Sequence, residues 1–445
     1  IKMKKFFLPF LFFVGIVWVI FTQVPLPLGS NFSLSASAKQ PKNPSIYEVW
    51  AIDQADSFDG TSLGGNLYVL SGNDQDFLRG HAKVEQVNLA ASAKRNGLAA
   101  GQKPHWIAFN KGATHAIVGH ATTAQIYAID ADKREVVDSI LPPGLPNSNS
   151  HAVYVSKDNN YVFVADTPGQ RIHKISTNYE TRSKIFGEVK TLDFNIPDTK
   201  TALGTATARP VVAVVDDTGQ FVYVTFADGG VAIVNADTLT IAHIYSKEEV
   251  TFNGLVASQV NDLFITNAGN ADPQIADFVY VYNNKSLLEN PSKRPDFIKV
   301  PQSGNDVHGV VVVGDRYLWQ LNRASNTITI HEIQPDLFDQ NIDSSNKVRA
   351  INLVNLTDTA LGSDPAPDLI ETSPSQEVAF ISQRGPNPIS GNDPAFFNSV
   401  GATPGVGVVQ IENDGKNAKP IYLYKFDNIV NGVNISDFHA LTVRK

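Results

Sequence analysis

The chain has 445 residues, 42% of them apolar, with no cysteine, one methionine and a formal net charge of −8. That is enough apolar material for a large core. The missing cysteines exclude a disulfide framework and thiolate chemistry, and the acidic balance speaks against nucleic acid as a partner. The apolar runs are short, β-branched and broken by Gly, Pro, Asn and Asp, which excludes a helical solenoid.

At the N-terminus, Lys2, Lys4 and Lys5 precede an apolar run over residues 6–21, and Ala36-Ser37-Ala38 supplies an A-x-A cleavage site. This order predicts a secretion signal over 1–38, a linker over 39–45 and a folded domain over 46–445, in the periplasm or secreted. The run is shorter than the ~20 residues of a spanning helix. Membrane contact is therefore expected only through this segment, and only where it stays uncleaved.

Strands are predicted from YEVWAIDQ (47–54) onward, with an acidic, Gly-rich loop over 55–65 and further strands from Asn66 and Lys83. Beyond these a phrase repeats: two Val- and Tyr-rich runs flanking a polar turn, as in HAVYVSKDNNYVFVAD (151–166). Copies begin at His105, Val211, Asn253, His308 and Asp368, and HALTVRK from His439 stops after its first run. Each copy is followed by two more strand-like runs, so each unit supplies four strands. The first group has three strands and lacks an opening one, which the last run supplies. Seven four-stranded antiparallel blades around a channel make an all-β, seven-bladed β-propeller. Pairing the C-terminal strand with the N-terminal blade closes the ring and removes its exposed edges.

The segments VSKDNNYVFVAD and TGQFVYVTFADGGVAIVNADT resemble the YVTN-type propeller repeat. That resemblance implies the same architecture from Tyr47 to the C-terminus. Propellers similar in this sense include quinoprotein amine dehydrogenase heavy chains, lactonases, nitrous oxide reductase and selenium-binding proteins, whose chemistries differ. The resemblance therefore implies a fold and leaves activity open.

In each unit the opener's first residue and the second strand's last residue lie at one end, which in a propeller is a rim of the channel. Reading those positions gives His105 and His120, His151 and Asp166, Asn253 and Asn267, His308 and Asn322, Asp368 and Gln383, and His439 opposite the Asp53 region. Arg209, Arg323 and Arg384 lie beside the rim. His105, His120, His151, Asp166, His439 and His308 form a candidate copper or zinc site, with imidazoles as ligands and a carboxylate as ligand or orienter. Arg209, Asn253, Asn267, Asn322, Arg323, Asp368, Gln383 and Arg384 form a candidate site for a small-molecule, anionic ligand, since guanidinium forks suit carboxylate or phosphate.

Three functions stay open at this point. One is metal binding, with metal-dependent redox chemistry. Another is a metal-free hydrolase of lactonase type with a rim histidine as base. The third is a non-catalytic scaffold. It would bind a protein partner through the Gly/Pro/Asn-rich loop 384–404, with its adjacent Phe396 and Phe397. A purely structural role for the histidines, such as a His151–Asp166 pair tying a hairpin together, competes with all three. Asp56–Asp59 and Asn73–Asp76 lack the full spacing of a calcium loop and read as solvated acids. Trp50, Trp106 and Trp319 are expected to fill inter-sheet packing.

Overall fold

One turn chemistry repeats around the molecule. Asn110, Ser156, Asp216 and Ser373 each close a hairpin by donating their backbone N–H to the carbonyl five residues on, at 2.8–3.0 Å. The side-chain oxygen of each accepts the N–H of that same residue, namely His115, Tyr161, Phe221 and Val378. Three positions after the first, Ala113, Asn159, Gly219 and Gln376 take positive φ. A short polar side chain that bonds its own backbone is what such a turn needs. The turn sets the pairing of the two Val-rich strands it joins.

The computed structural model describes residues 45–55, 65–144, 148–251, 257–260, 262–334, 337–338 and 347–444. The signal, most of the linker, the acidic loop from Asp56 and Asn253 lie outside the described residues. Those described belong to one compact unit, Pro44–Lys445. They form seven four-stranded antiparallel sheets, a seven-bladed β-propeller.

Blade 1 is Phe438–Arg444, Tyr47–Asp53, Asn66–Gly72 and Lys83–Asn88, from the channel outward. The inner strands of blades 2 to 7 are Pro104–Phe109, Ala152–Val155, Pro210–Val215, Ala257–Val260, Val307–Val313 and Pro367–Thr372. The ring closes as expected: Val443 pairs with Val49, and the Gln54 N–H donates to the Asp437 carbonyl at 2.9 Å.

Aromatic residues fill the spaces between blades. Trp50 packs edge-on against Phe109, Tyr223 stacks on Phe264 at 3.8 Å, and Tyr47 and Phe77 meet Phe380. Trp319 is fully buried and donates its indole N–H to the Gly415 carbonyl of the next blade. Trp106 departs from this pattern. It faces the channel instead of an inter-blade space.

The inner strands carry a feature that alternation does not encode. In blades 1, 2, 4, 6 and 7 their pairing with the second strand shifts near the rim. Pro104, not His105, pairs with His120, and Val307 and Pro367 likewise take the places expected of His308 and Asp368. The shifts fall on His105, Val211, His308 and Asp368, and beside His439. A bulge re-aims the side chain it carries. Here it turns the opening residues toward the axis and leaves the second-strand ends between the blades.

Candidate functional site

His105, His151, His308 and His439 come together at one end of the channel. His105 and His151 approach Nε2 to Nε2 at 3.2 Å, and the rings of His105 and His439 stack at 3.7 Å. The His308 and His439 rings meet edge-on at 6.0 Å. His308 Nε2 lies 2.8 Å from an oxygen of Asp368. Among the described residues, His308, Asp368 and His439 each present a ligand atom within 4.8 Å of the other two.

The tautomers of three of these imidazoles are fixed by their partners. His151 Nδ1 lies 2.9 Å from the Val211 carbonyl, and His439 Nδ1 lies 2.9 Å from the His105 carbonyl. A carbonyl only accepts, so both nitrogens carry the proton. His105 Nδ1 meets the Gln54 side-chain oxygen at 2.7 Å. Gln54 is held in that orientation because its amide N–H donates to Asp437 and its oxygen accepts from the Ser390 hydroxyl. All three rings therefore present a bare Nε2. Burial keeps them neutral: it pushes His151 down to about 4, and His105 and His439 well below the usual imidazole range.

Charge around the cluster is arranged in buried pairs. Arg384 donates from Nε to Asp437 at 2.6 Å and from a terminal nitrogen to Asp368 at 2.5 Å. Arg323 pairs with Asp306 at 2.7 Å and reaches Asp368 at 3.4 Å. Burial alone would raise Asp368, but His308, His439, Arg384 and Arg323 outweigh it and hold the carboxyl well below its usual range. Three carboxylates thus face two guanidinium groups, leaving one negative charge beside the imidazoles. A bound cation would balance it.

Loop 384–404 lies over the mouth. Arg384 donates to the Ser390 carbonyl and Arg323 to the Gly391 carbonyl, while the Ile389 N–H donates to Asp437. A Cβ on Gly391, which has φ +68°, would meet the Arg323 guanidinium at 3.3 Å. Ser390 and Gly391 roof a cavity of about 50 Å³ walled by His105, Trp106, His151, His308, Arg323 and His439. Phe396 and Phe397 lie exposed on the loop's outer side.

Other rim positions do not reach the channel. His120 is buried between blades, bonded through Nδ1 to the Gln125 carbonyl and packed on Tyr127. Asp166 pairs with Arg171 at 2.9 Å and faces His173 within its own blade, not His151. Asn322 bonds Thr327 and Thr329, and Gln383 sits beside Thr403 and Leu361. Asn267 donates to the backbone carbonyl of His308 and reaches toward Gln320. Arg209 is half-exposed and pairs with Asp228 at 2.7 Å. Arg323 and Arg384, committed to carboxylates of the protein, offer no open fork to a ligand anion. Second strands lie one strand spacing, ~4.8 Å, farther from the axis than the inner strands. Their end residues accordingly serve the blades.

Sequence reasoning missed Gln54, Asp306, Asp437 and Ser390. A signal for two of them stands in the chain: Asp306-Val307-His308 and Asp437-Phe438-His439 repeat the pattern Asp-x-His. In both, the aspartate holds an arginine that follows a second strand.

No family model and no curated protein sequence matches the chain. Solved structures do. A candidate 6-phosphogluconolactonase from Bacteroides fragilis aligns over 91% of this chain and all of its own, with TM-score 0.55 and 11% identity. The periplasmic gluconolactonase of Pseudomonas aeruginosa aligns over 90% of this chain and 99% of its own, with TM-score 0.56 and 12% identity. Hydrazine synthase from Kuenenia stuttgartiensis aligns over 79% of this chain and 94% of the matched chain, with TM-score 0.51 and 12% identity. The chain is a seven-bladed propeller repeat protein. At such identities the likeness is one of fold, and the activity has to be argued from the site. Among the described residues no helix is long and apolar enough to cross a membrane.

Proposed function

We propose that this propeller is an exported protein that binds one copper or zinc ion at the capped end of its channel. The ligands come from His105 and His151, whose Nε2 atoms face one another, and from His308, Asp368 and His439, whose ligand atoms lie within 4.8 Å of one another. The observation that carries the reading is the 3.2 Å approach of two bare imidazole nitrogens. Two lone pairs repel at that distance unless a cation lies between them. Nitrogens bound at ~2.0–2.1 Å to a tetrahedral ion sit about 3.3 Å apart. Each Nδ1–H is anchored on an oxygen, the arrangement that orients histidine ligands elsewhere. The unbalanced buried carboxylate supports the same reading.

Held there, zinc would supply Lewis-acid chemistry and copper one-electron chemistry. The residues around it fix the tautomers, exclude bulk water under the loop and hold Asp368 ionised.

Calorimetric titration of chelator-stripped protein with Cu(II) or Zn(II) tests the reading. One saturable site is expected, lost in His105→Ala and His439→Ala. No binding of either ion contradicts it.

A second reading, metal-free lactone hydrolysis with His105 or His151 as base, draws on the likeness to proteins described as gluconolactonases. It predicts hydrolysis of a sugar lactone that survives chelation. The capped cavity weighs against it. Its volume of about 50 Å³ is far below the 300–1,000 Å³ usual for small-molecule pockets.

A further inference from the structure

We propose that Trp106 is a swinging gate, and that ions and small polar molecules reach the histidine cluster past it, from the rim opposite the loop. The histidines lie within one residue of the starts of inner strands. Farther along those strands the channel widens into a shaft of about 500 Å³. Lys157 lines this shaft with its side chain 63% exposed, so the shaft meets bulk water at its far end. Among the described residues, Trp106 alone lines both the shaft and the small cavity under the loop.

The two closures differ in what holds them. Above, Arg384 donates to the Ser390 carbonyl at 2.7 Å and Arg323 to the Gly391 carbonyl at 3.1 Å. The Ile389 N–H donates to Asp437 at 2.7 Å, and Asn398 donates to Asp306 at 2.8 Å. The two arginines and two aspartates are all buried. Hydrogen bonds to ionised groups are the stronger kind, and lifting the loop breaks these together. Below, Trp106 is held by ring packing on Tyr154 at 5.3 Å and on His439 at 6.0 Å. Turning one side chain to another staggered rotamer moves no backbone, and the shaft beside it has room for the indole. The shaft also suits polar traffic. Lys157, Ser258, Glu371 and Thr442 interrupt its apolar walls, so a solute keeps polar partners on the way and is spared the cost of bare desolvation. That an ion is among these solutes rests on the metal reading. That the histidines are reached past Trp106 does not.

The first test needs no metal. Diethyl pyrocarbonate, which acylates a bare imidazole nitrogen, is applied to metal-free protein, and acylation of His105, His151 and His439 is followed by peptide mass spectrometry against the exposed His81. A gate open for a minor fraction of the time, about 0.1–10%, should make them at least about tenfold slower than His81. Trp106→Leu should remove most of that difference, and Trp106→Phe, which keeps ring packing on Tyr154, less of it. Asn398→Ala loosens the loop and should leave the rates within about twofold, since access follows the fraction of open gate. The second test follows zinc and copper by stopped flow. Trp106→Leu should speed uptake and release together and leave Kd nearly unchanged, whereas a merely structural tryptophan would alter Kd with uptake unchanged. Acylation indifferent to both Trp106 variants, or accelerated by Asn398→Ala in their place, overturns the gate. Acylation that responds to Trp106 in protein that takes up no metal sinks the metal reading and leaves the gate standing.

Discussion

Nε2 of His105 and Nε2 of His151 face one another at 3.2 Å, and each ring has spent its only proton on an oxygen behind it. The arrangement is set from outside the pair. The Val211 carbonyl of blade 4 orients His151, and Gln54 of blade 1 orients His105. Two blades outside the pair, 1 and 4, therefore bear on one contact, and His439 of blade 1 also stacks on the His105 ring.

Gln54 is the lever on this geometry. Gln54→Leu removes the acceptor that fixes the His105 tautomer and frees the ring to turn. Loss of such a supporting bond costs metal affinity about 10–100-fold. Competition titration against a chromophoric chelator reads this out. Gln54→Glu, which keeps an acceptor, should retain more affinity than Gln54→Leu.

Arg384 is fully buried with two aspartates on it. Burial alone would lower its pKa, but Asp437 and Asp368 outweigh that and raise it, so it stays charged. Arg384→Met leaves Asp368 and Asp437 without this partner. Breaking such a buried pair costs about 3–5 kcal/mol. Denaturant unfolding should show a fall of that size, accompanied by faster proteolysis in 384–404, because the Ser390 carbonyl also loses its donor.

Stability should fall in mild acid through imidazoles outside the centre. Burial lowers His120 and His331 to about 4. Between their unfolded value near 6.5 and that figure, the unfolded chain binds more protons than the native one. Stability therefore drops as pH falls through this window and levels off below it. Each group contributes on the order of 3 kcal/mol to the drop. Denaturant midpoints followed from pH 7 to pH 4 measure it, and His331→Phe should show a shallower fall. Equal slopes in both proteins would refute the assignment.

Much of the architecture is legible in the chain because hairpin chemistry is local. A Val-rich run, a Ser, Asp or Asn that closes the turn and a second Val-rich run say where strands begin and end, and seven openers give the blade number. His105, His151, His308 and His439 stand out for the same reason: each lies within one residue of the start of an inner strand. The partners are less legible. A bulge at the rim shifts the pairing opposite His120, and Asp166, in a blade without one, ends a second strand one strand farther from the axis, so both belong between strands. Gln54, Asp437 and Ser390 are far apart in sequence and meet only because the ring closes. Arg323 and Arg384 look like open anion forks until the aspartates two residues before His308 and His439 are placed beside them.

Metal content tests the central claim most directly. The protein, exported and purified without chelator, would be analysed by elemental mass spectrometry beside the His105→Ala/His151→Ala double variant. About one copper or zinc per chain, absent from the double variant, is the predicted result. Protein with neither ion, even after incubation with both, contradicts the account and returns the histidines to acid–base or structural work.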